Sequence, residues 1–345
     1  MMVDVEAAAP DLALVPRPVA SSVDELLAGA TNRQPFLHTD SKSGSGFERV
    51  TIDGKPHIVK YVHIDDDWTM RFCGDVGCKP LQVWACGLMD ILPERIDHGM
   101  VGVAGGLGRN GWGAALLMRD LSDELVPAGD APLPLEEHLA YLDTMAALAA
   151  RTWGWADDIG LVPLANRWAW FSQVTLDHER QHGWPDPVPR IAAEGWERFG
   201  ERAPATVHRL IDELRRDVQP VVSAVADTPS SFVHGDWKLG NVGTAADGRT
   251  VLIDWTYPGS APVCQDLGWY LALNRARLPH SKEDAIAALR SALEHHGVDT
   301  ARWWDRQLAV CLLGSLVQFG WEKALGDEDE LGWWCDRALE GAAFL

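Results

Sequence analysis

Ser231-Phe-Val-His234-Gly235-Asp236-Trp237-Lys238-Leu239-Gly240-Asn241, followed by Val251-Leu-Ile-Asp254-Trp255, is the stretch on which the reading of this 345-residue chain turns. Residues 231–233 read as a short strand, the chain then loops through Asn241, and residues 249–255 read as a second strand. The loop presents Asp236 and then Asn241, and the second strand ends in Asp254. A carboxylate on such a loop can orient a hydroxyl and accept its proton. A carboxamide and a second carboxylate are hard oxygen ligands of the kind that hold Mg²⁺ against phosphates. Asp236 suits the first task, and Asn241 and Asp254 suit the second. Lys238, two residues after the base, can reach the transferring phosphoryl group. Taken singly these groups are ordinary, since H-G-D is a common turn and an aspartate can simply end a strand. Their order, spacing and setting together point to phosphoryl transfer from a magnesium nucleotide.

Outward from this stretch the chain divides into a β-rich front and a helical body. Phe36-Leu37-His38 leads into a small, polar, glycine-bearing stretch at residues 41–46. Residues 47–52 and 57–62 then alternate around Asp53-Gly54, a strong hairpin signal. Residues 68–92 have helical periodicity interrupted by Gly74 and Gly77. Beyond Pro93, residues 97–103 and 114–118 read as strands joined by the glycine cluster 102–113. That cluster lacks a G-K-[ST] ending and precedes a strand, so it reads as a turn and not as a nucleotide loop. Helical spacing starts at Leu135 and continues through 135–152 and through 205–226, with a break at Pro220. The 231–255 hairpin interrupts it, and helices resume near Asp266. Ser281-Lys-Glu-Asp284 opens a helix to His296 as a capping box, and two more helices cover 301–325 and 331 to the end. The fold class is α+β with two lobes: residues 1–118 form a small β-rich lobe and 119–345 a larger, mostly helical one. The site is predicted to lie between them.

Bulk properties narrow the function. With 30 Lys+Arg against 50 Asp+Glu the net charge is -20, which disfavours nucleic-acid binding and draws cations. The first twenty residues carry Asp4, Glu6 and Asp11 but no basic, apolar leader pattern. The longest apolar run, 308–317, is too short to span a bilayer and is interrupted by Gly314, so it reads as a buried helix. No membrane partner and a cytoplasmic location are the expectations. Cys73, Cys78, Cys86, Cys264, Cys311 and Cys335 form no C-x-x-C pair and read as free thiols; the first three fit no usual zinc spacing. Seventeen tryptophans, several in pairs such as Trp168/Trp170, are expected mainly in the core, with some able to wall a pocket.

His234-Gly-Asp-x-x-x-x-Asn241 with Ile253-Asp254-Trp255 resembles the signature of the aminoglycoside phosphotransferase and choline kinase superfamily, whose members share the protein-kinase-like fold. The resemblance implies that Asp236 is the catalytic base and that Asn241 and Asp254 bind Mg²⁺. It implies ATP as the phosphoryl donor, with GTP as the alternative. Asp266, in Cys264-Gln-Asp-Leu-Gly268, corresponds to an aspartate that braces the catalytic loop, and His234 to a scaffold residue. In the front lobe, Lys60 matches the lysine placed on the α- and β-phosphates. Ser43, Gly44 and Ser45 match the phosphate-covering loop, although a full G-x-G-x-x-G is missing. Met118 and Arg119 fall at the hinge that holds adenine. The family's acidic partner for the lysine has no obvious counterpart; Asp75 is the first candidate, ahead of Asp90 and Glu94. The specific motifs occupy 231–268, while the general resemblance runs from about 36 to 340.

Three functions follow. The first is transfer to a hydroxyl of a small cationic acceptor, an aminoglycoside-like antibiotic or amino sugar, with Glu322, Asp327, Glu328, Asp329 and Glu330 as candidate acceptor-pocket acids. The second is a metabolic kinase of a sugar or choline-like alcohol. The third is a nucleotide-binding pseudokinase, which retention of Asp236, Asn241 and Asp254 disfavours. The short segment between Asp254 and Asp266 leaves no obvious activation segment, which disfavours a protein kinase and favours a small acceptor entering a cleft. The sequence does not specify an oligomeric state.

Overall fold

The structure, a computed structural model, describes residues 12–36 and 46–345. The Ser43-Gly44-Ser45 loop therefore lies outside the described residues. A short helix α1 (Val23–Leu26) precedes β1 (Thr31–Phe36), β2 (Gly46–Ile52) and β3 (Lys55–Val62). Between β2 and β3, Asp53 and Gly54 both take positive φ, 50° and 74°, the conformation a two-residue primed turn requires. The segment 68–92, read as interrupted helix, becomes α2 (Trp68–Cys73) and α3 (Lys79–Ala85), separated by a left-handed cap at Gly74. Two residues of β4 (Ile96–Asp97), then β5 (Met100–Leu107) and β6 (Gly113–Arg119), complete the front. Gly102, Gly105 and Gly106 lie within β5, so the expected glycine turn is shorter than its composition suggested. The five long strands form one antiparallel sheet in the order β1-β2-β3-β6-β5.

A linker follows β6, and the helical body begins with α4 (Leu135–Arg151), α5 (Leu164–Trp168), α6 (Gln173–His182), α7 (Pro187–Arg202), α8 (Ala205–Arg216) and α9 (Gln219–Val225). The predicted 205–226 helix is thus two helices, divided ahead of Pro220 as proline's missing N–H dictates. Next come β7 (Ser230–Val233), β8 (Val242–Thr244), β9 (Thr250–Leu252) and β10 (Gly259–Pro262), then α10 (Cys264–Asn274), α11 (Lys282–His295), α12 (Trp304–Leu325) and α13 (Glu328–Ala342). Ser281 caps α11 by accepting the Asp284 N–H at 3.1 Å. The catalytic stretch holds more strand than the sequence reading gave it. β8 pairs with β9, β9 pairs in parallel with β4, and β10 pairs with β7.

The core is continuous from the back of the sheet into the helices. Its centre is α12, long and apolar enough by composition to cross a membrane, but 83% of its apolar 18-residue window is buried inside the protein. It packs against α5, α7, α8, α9, α10 and α13. Its tightest approach is at Gly314, where a Cβ would stand 2.2 Å from the Trp168 indole. Among the described residues no group of three or more His, Cys, Asp or Glu is placed to hold a metal, and all six cysteines are free.

Candidate active site

The loop that leaves β7 is fixed from below by Asp266, on the first turn of α10. Its Oδ2 accepts the His234 backbone N–H at 3.0 Å and the Trp237 Nε1–H at 2.9 Å; its Oδ1 accepts the Gly235 N–H at 2.8 Å. Gly235 has φ +82°, which returns the chain so that Asp236 points into the cleft. Asn274, at the end of α10, holds the second half of the loop, accepting from Leu239 N–H and donating to Trp237 C=O. His234 is fully buried and its Nε2 lies 3.0 Å from the Ile253 carbonyl. Burial depresses its pKa to about 3, so the ring is a neutral scaffold.

Asp236 is buried, and each of its oxygens has a donor. Oδ1 accepts Trp269 Nε1–H at 2.9 Å; Oδ2 accepts Asn241 Nδ2–H at 2.8 Å and lies 3.3 Å from Lys238 Nζ. Burial raises its pKa; Lys238 opposes the rise and Asp254 adds to it. A carboxylate raised toward neutrality by desolvation is a better proton acceptor than a solvated one. Because Asn241 spends its amino group on Asp236, its amide oxygen is left for a cation.

Asp254 follows β9 with φ +65°, an uncommon conformation for a side-chain-bearing residue and one that turns the carboxylate into the cleft. Thr256 supports the turn, its hydroxyl donating to Asp254 Oδ1 at 2.5 Å. Lys60 Nζ, from β3, donates to the same oxygen at 2.7 Å. Burial alone would push the Asp254 pKa up, but Lys60 and Lys238 hold it well below the usual carboxylate range, so it is anionic at neutral pH. Asp254 and the Asn241 oxygen make a sparse, hard-oxygen donor set, which fits Mg²⁺ completed by phosphate and water oxygens.

The structure thus brings Lys60, Asp236, Lys238, Asn241 and Asp254 together around one cavity of about 650 Å³, which Met118 also lines. Arg119 borders it too, but its guanidinium turns to Asp97 at 2.5 Å. The expectation for the partner of Lys60 is corrected. Asp75 is fully buried and accepts the N–H groups of Gly77 and Lys79, with Lys79 Nζ at 3.6 Å. The anion that meets Lys60 is Asp254 itself. Asp90 pairs with Arg17 at the surface, and Glu94 does not line the cavity.

The acceptor acids are also corrected. Asp327 caps α13 and pairs with Arg275, Glu330 is buried among Lys282, Lys323 and Arg275, and Glu322 pairs with Lys323. None of the five predicted acids lines the cavity. Its far wall is aromatic instead, made by Trp68, Trp170, Phe171, Tyr257, Trp269, Phe319 and Trp321, with Asp67 beside them. Trp170 stands edge-on to Tyr257 at 4.5 Å and tilted to Trp269 at 5.6 Å, while Trp269 meets Phe319 edge-on at 5.0 Å. Trp269 was legible in principle, since it lies one helical turn beyond Asp266 and shares its face.

Trp269 both walls the cavity and donates to Asp236, so Trp269→Phe separates the two roles. A donor to the charged form lowers a carboxyl pKa, and removing it raises that pKa. The acid limb of the kcat profile is expected to move to higher pH. The loss is about tenfold on the acid side and smaller above neutrality. A pH profile superimposable on wild type would show that the indole N–H does not act on Asp236.

The family model of the phosphotransferase enzyme family (APH) matches residues 93–304. No curated protein sequence matches the chain. Solved structures are similar to it. The choline kinase LicA from Streptococcus pneumoniae is 12% identical, with 93% of this chain and 96% of that one aligned at a TM-score of 0.52. A microcompartment-associated aminopropanol kinase is 12% identical over 90% of this chain and 91% of that one, at 0.49. A thermostable mutant of the aminoglycoside phosphotransferase APH(4)-Ia, crystallised with ADP and hygromycin B, is 12% identical over 93% of this chain and 96% of that one, at 0.45. The chain belongs to the phosphotransferase enzyme family that the loop around Asp236 announced, and it has the protein-kinase-like fold.

Proposed function

We propose that this enzyme transfers the γ-phosphate of Mg-ATP to the hydroxyl of a small alcohol that carries a positively charged amine. In this reading Asp236 orients the hydroxyl and takes its proton as the oxygen attacks phosphorus. Lys238 contacts the transferring phosphoryl group, Lys60 the α- and β-phosphates, and Asn241 and Asp254 hold Mg²⁺. The metal, when bound, neutralises charge on the phosphates. The other contributions are positional, because phosphoryl transfer asks mainly for alignment and charge stabilisation. The aliphatic slot formed by Ile58, Leu116, Met118, Leu121 and Val126 where the sheet meets the linker suits the flat base of the nucleotide.

The observation that carries the acceptor class is the aromatic wall beside Asp236. An ammonium group over indole or phenyl faces gains about 0.5–2 kcal/mol per favourable contact, and more as water is excluded. Asp67 adds an anion at the edge of the wall, and the net charge of -20 favours the approach of a cation. A wall of rings suits one compact ammonium better than a polyhydroxylated oligosaccharide with several amines, which asks for many polar partners. Choline-like and other amino alcohols are therefore placed ahead of aminoglycosides.

The test is nucleoside diphosphate release from Mg-ATP, and from Mg-GTP, with amino alcohols, amino sugars, neutral sugars, aminoglycosides and peptide antibiotics as acceptors. Saturable release with quaternary or primary amino alcohols is the expected result. Release with aminoglycosides alone would overturn the acceptor class, and failure to bind nucleotide would overturn the reading as a whole.

A further inference from the structure

Arg167, on α5, is buried at 2% exposure, and none of its three guanidinium nitrogens has a hydrogen-bond partner. A desolvated charge without hydrogen bonds is costly, and its position in a fold calls for a specific compensation. Its surroundings supply one. A Cβ on Gly235 would stand 2.1 Å from Arg167 Nη1, and a Cβ on Gly259 would stand 2.8 Å from Nη2. The guanidinium thus fills the space left by two absent side chains. One belongs to the catalytic loop, the other to the start of β10, just beyond the turn that presents Asp254. The neighbouring residue, Trp168, donates to Gln265 Oε1 at 2.7 Å, so α5 rests on the same end of α10 that carries Asp266.

We propose that Arg167 is a positioning residue that clamps the catalytic loop between Gly235 and Gly259, its charge set against Gly235, whose N–H is held by the Asp266 carboxylate. The inference rests on the phosphotransferase reading for its kinetic consequence, but the clamp itself is independent of that reading. Asp266 anchors three donors around Asp236, and a full negative charge is what makes those three bonds strong. Burial raises the Asp266 pKa to about 6, and Arg167 is the first of the groups that hold it down. Burial lowers the Arg167 pKa to about 10, which leaves it charged at neutral pH. The other ionisable groups around the pair are Cys73 on α2, whose buried thiol is pushed up, Asp157 on the segment before α5, and the neutral His234. None of them replaces the guanidinium. Without it, the Asp266 carboxyl takes up a proton at a higher pH, and the anchor of the loop weakens from the acid side.

The experiment compares Arg167→Met and Arg167→Lys with wild type and with Asp236→Asn. Two readouts are used: backbone hydrogen exchange of the peptide spanning 231–241 in the free protein, and ADP release with the best acceptor from the panel. Arg167→Met is expected to lose protection in that peptide at pH 7 and to lose about 10²-fold in kcat, as a displaced catalytic group does. The KM values should stay within about threefold, and the acid limb should move to higher pH. Arg167→Lys keeps the charge and is expected to keep the wild-type limb and most of the protection. A folded methionine variant with unchanged exchange in 231–241 overturns the clamp, whether or not an acceptor is found. If the methionine variant does not fold, the lysine variant decides: an acid limb shifted as far as loss of charge would shift it overturns the proposal. Asp236→Asn, with wild-type protection but no turnover, separates the clamp from the chemistry.

Discussion

Asp236→Asn is expected to lower kcat by about 10³-fold or more while Mg-ATP affinity stays within about threefold of wild type. The structure gives reasons for both halves. Burial raises the affinity of this carboxylate for a proton, while Lys238, Asn241 and Trp269 hold it in place. Asparagine keeps the shape and one acceptor oxygen; its NH2 turns a donor toward one former partner and loses that contact, but the loop stays on its Asp266 anchor, and an amide cannot take the hydroxyl proton. The measurement is single-turnover ADP formation beside nucleotide titration. Turnover within tenfold of wild type would remove Asp236 from the role of base.

Asp254→Ala is expected to remove the dependence of nucleotide binding on Mg²⁺ and to reduce turnover to the background of the assay. This residue meets Lys60 at 2.7 Å and is supported by Thr256, so its loss also leaves the Lys60 ammonium without its partner. Breaking one side of a partly buried pair costs more than the pair is worth when intact. The Asp254 pKa is depressed, so its contribution to stability is present above the ordinary carboxylate range and is lost only as pH falls through the depressed value. Falling pH should therefore reach the raised Asp266 and Asp236 carboxyls before it disturbs the Lys60–Asp254 pair. Titration of nucleotide with and without Mg²⁺ checks the prediction, and an unchanged Mg-ATP affinity in the alanine variant would count against the metal role.

The phosphate end of the site was legible in the sequence because it is local. Asp236, Lys238, Asn241 and Asp254 lie close together in the chain, on either side of the β8–β9 hairpin, and the turn chemistry of Asp53-Gly54 specified the register that carries Lys60. The aromatic wall was not legible, because it is gathered from α2, the α5–α6 connection, the turn after Asp254, α10 and α12. No short spacing in the chain encodes that convergence. Tryptophan pairs gave notice of buried rings without saying which faced a cavity: Trp170 lines it, whereas Trp168 is spent in the core on Gln265 and Gly314. The error over Asp75 has a local cause. An aspartate followed four residues later by Lys79, with a loop of free N–H groups between, satisfies itself and needs no distant lysine. Strands β8 and β10 were missed because three or four residues carry too little alternation to read.

The place of α12 in the chain has a consequence for the order in which the protein is made. The front sheet pairs neighbouring hairpins, so its strands can find one another while the rest is still being synthesised. The helices α5, α7, α8, α9 and α10 emerge before the helix on which they all rest, so the apolar faces they turn to α12 have no partner until it is made. Phe319 and Trp321 travel on that late helix. The side of the cavity that carries Lys60, Asp236 and Asp254 is therefore encoded ahead of α12, whereas the aromatic wall is completed only when α12 is made and settles into the middle of the body.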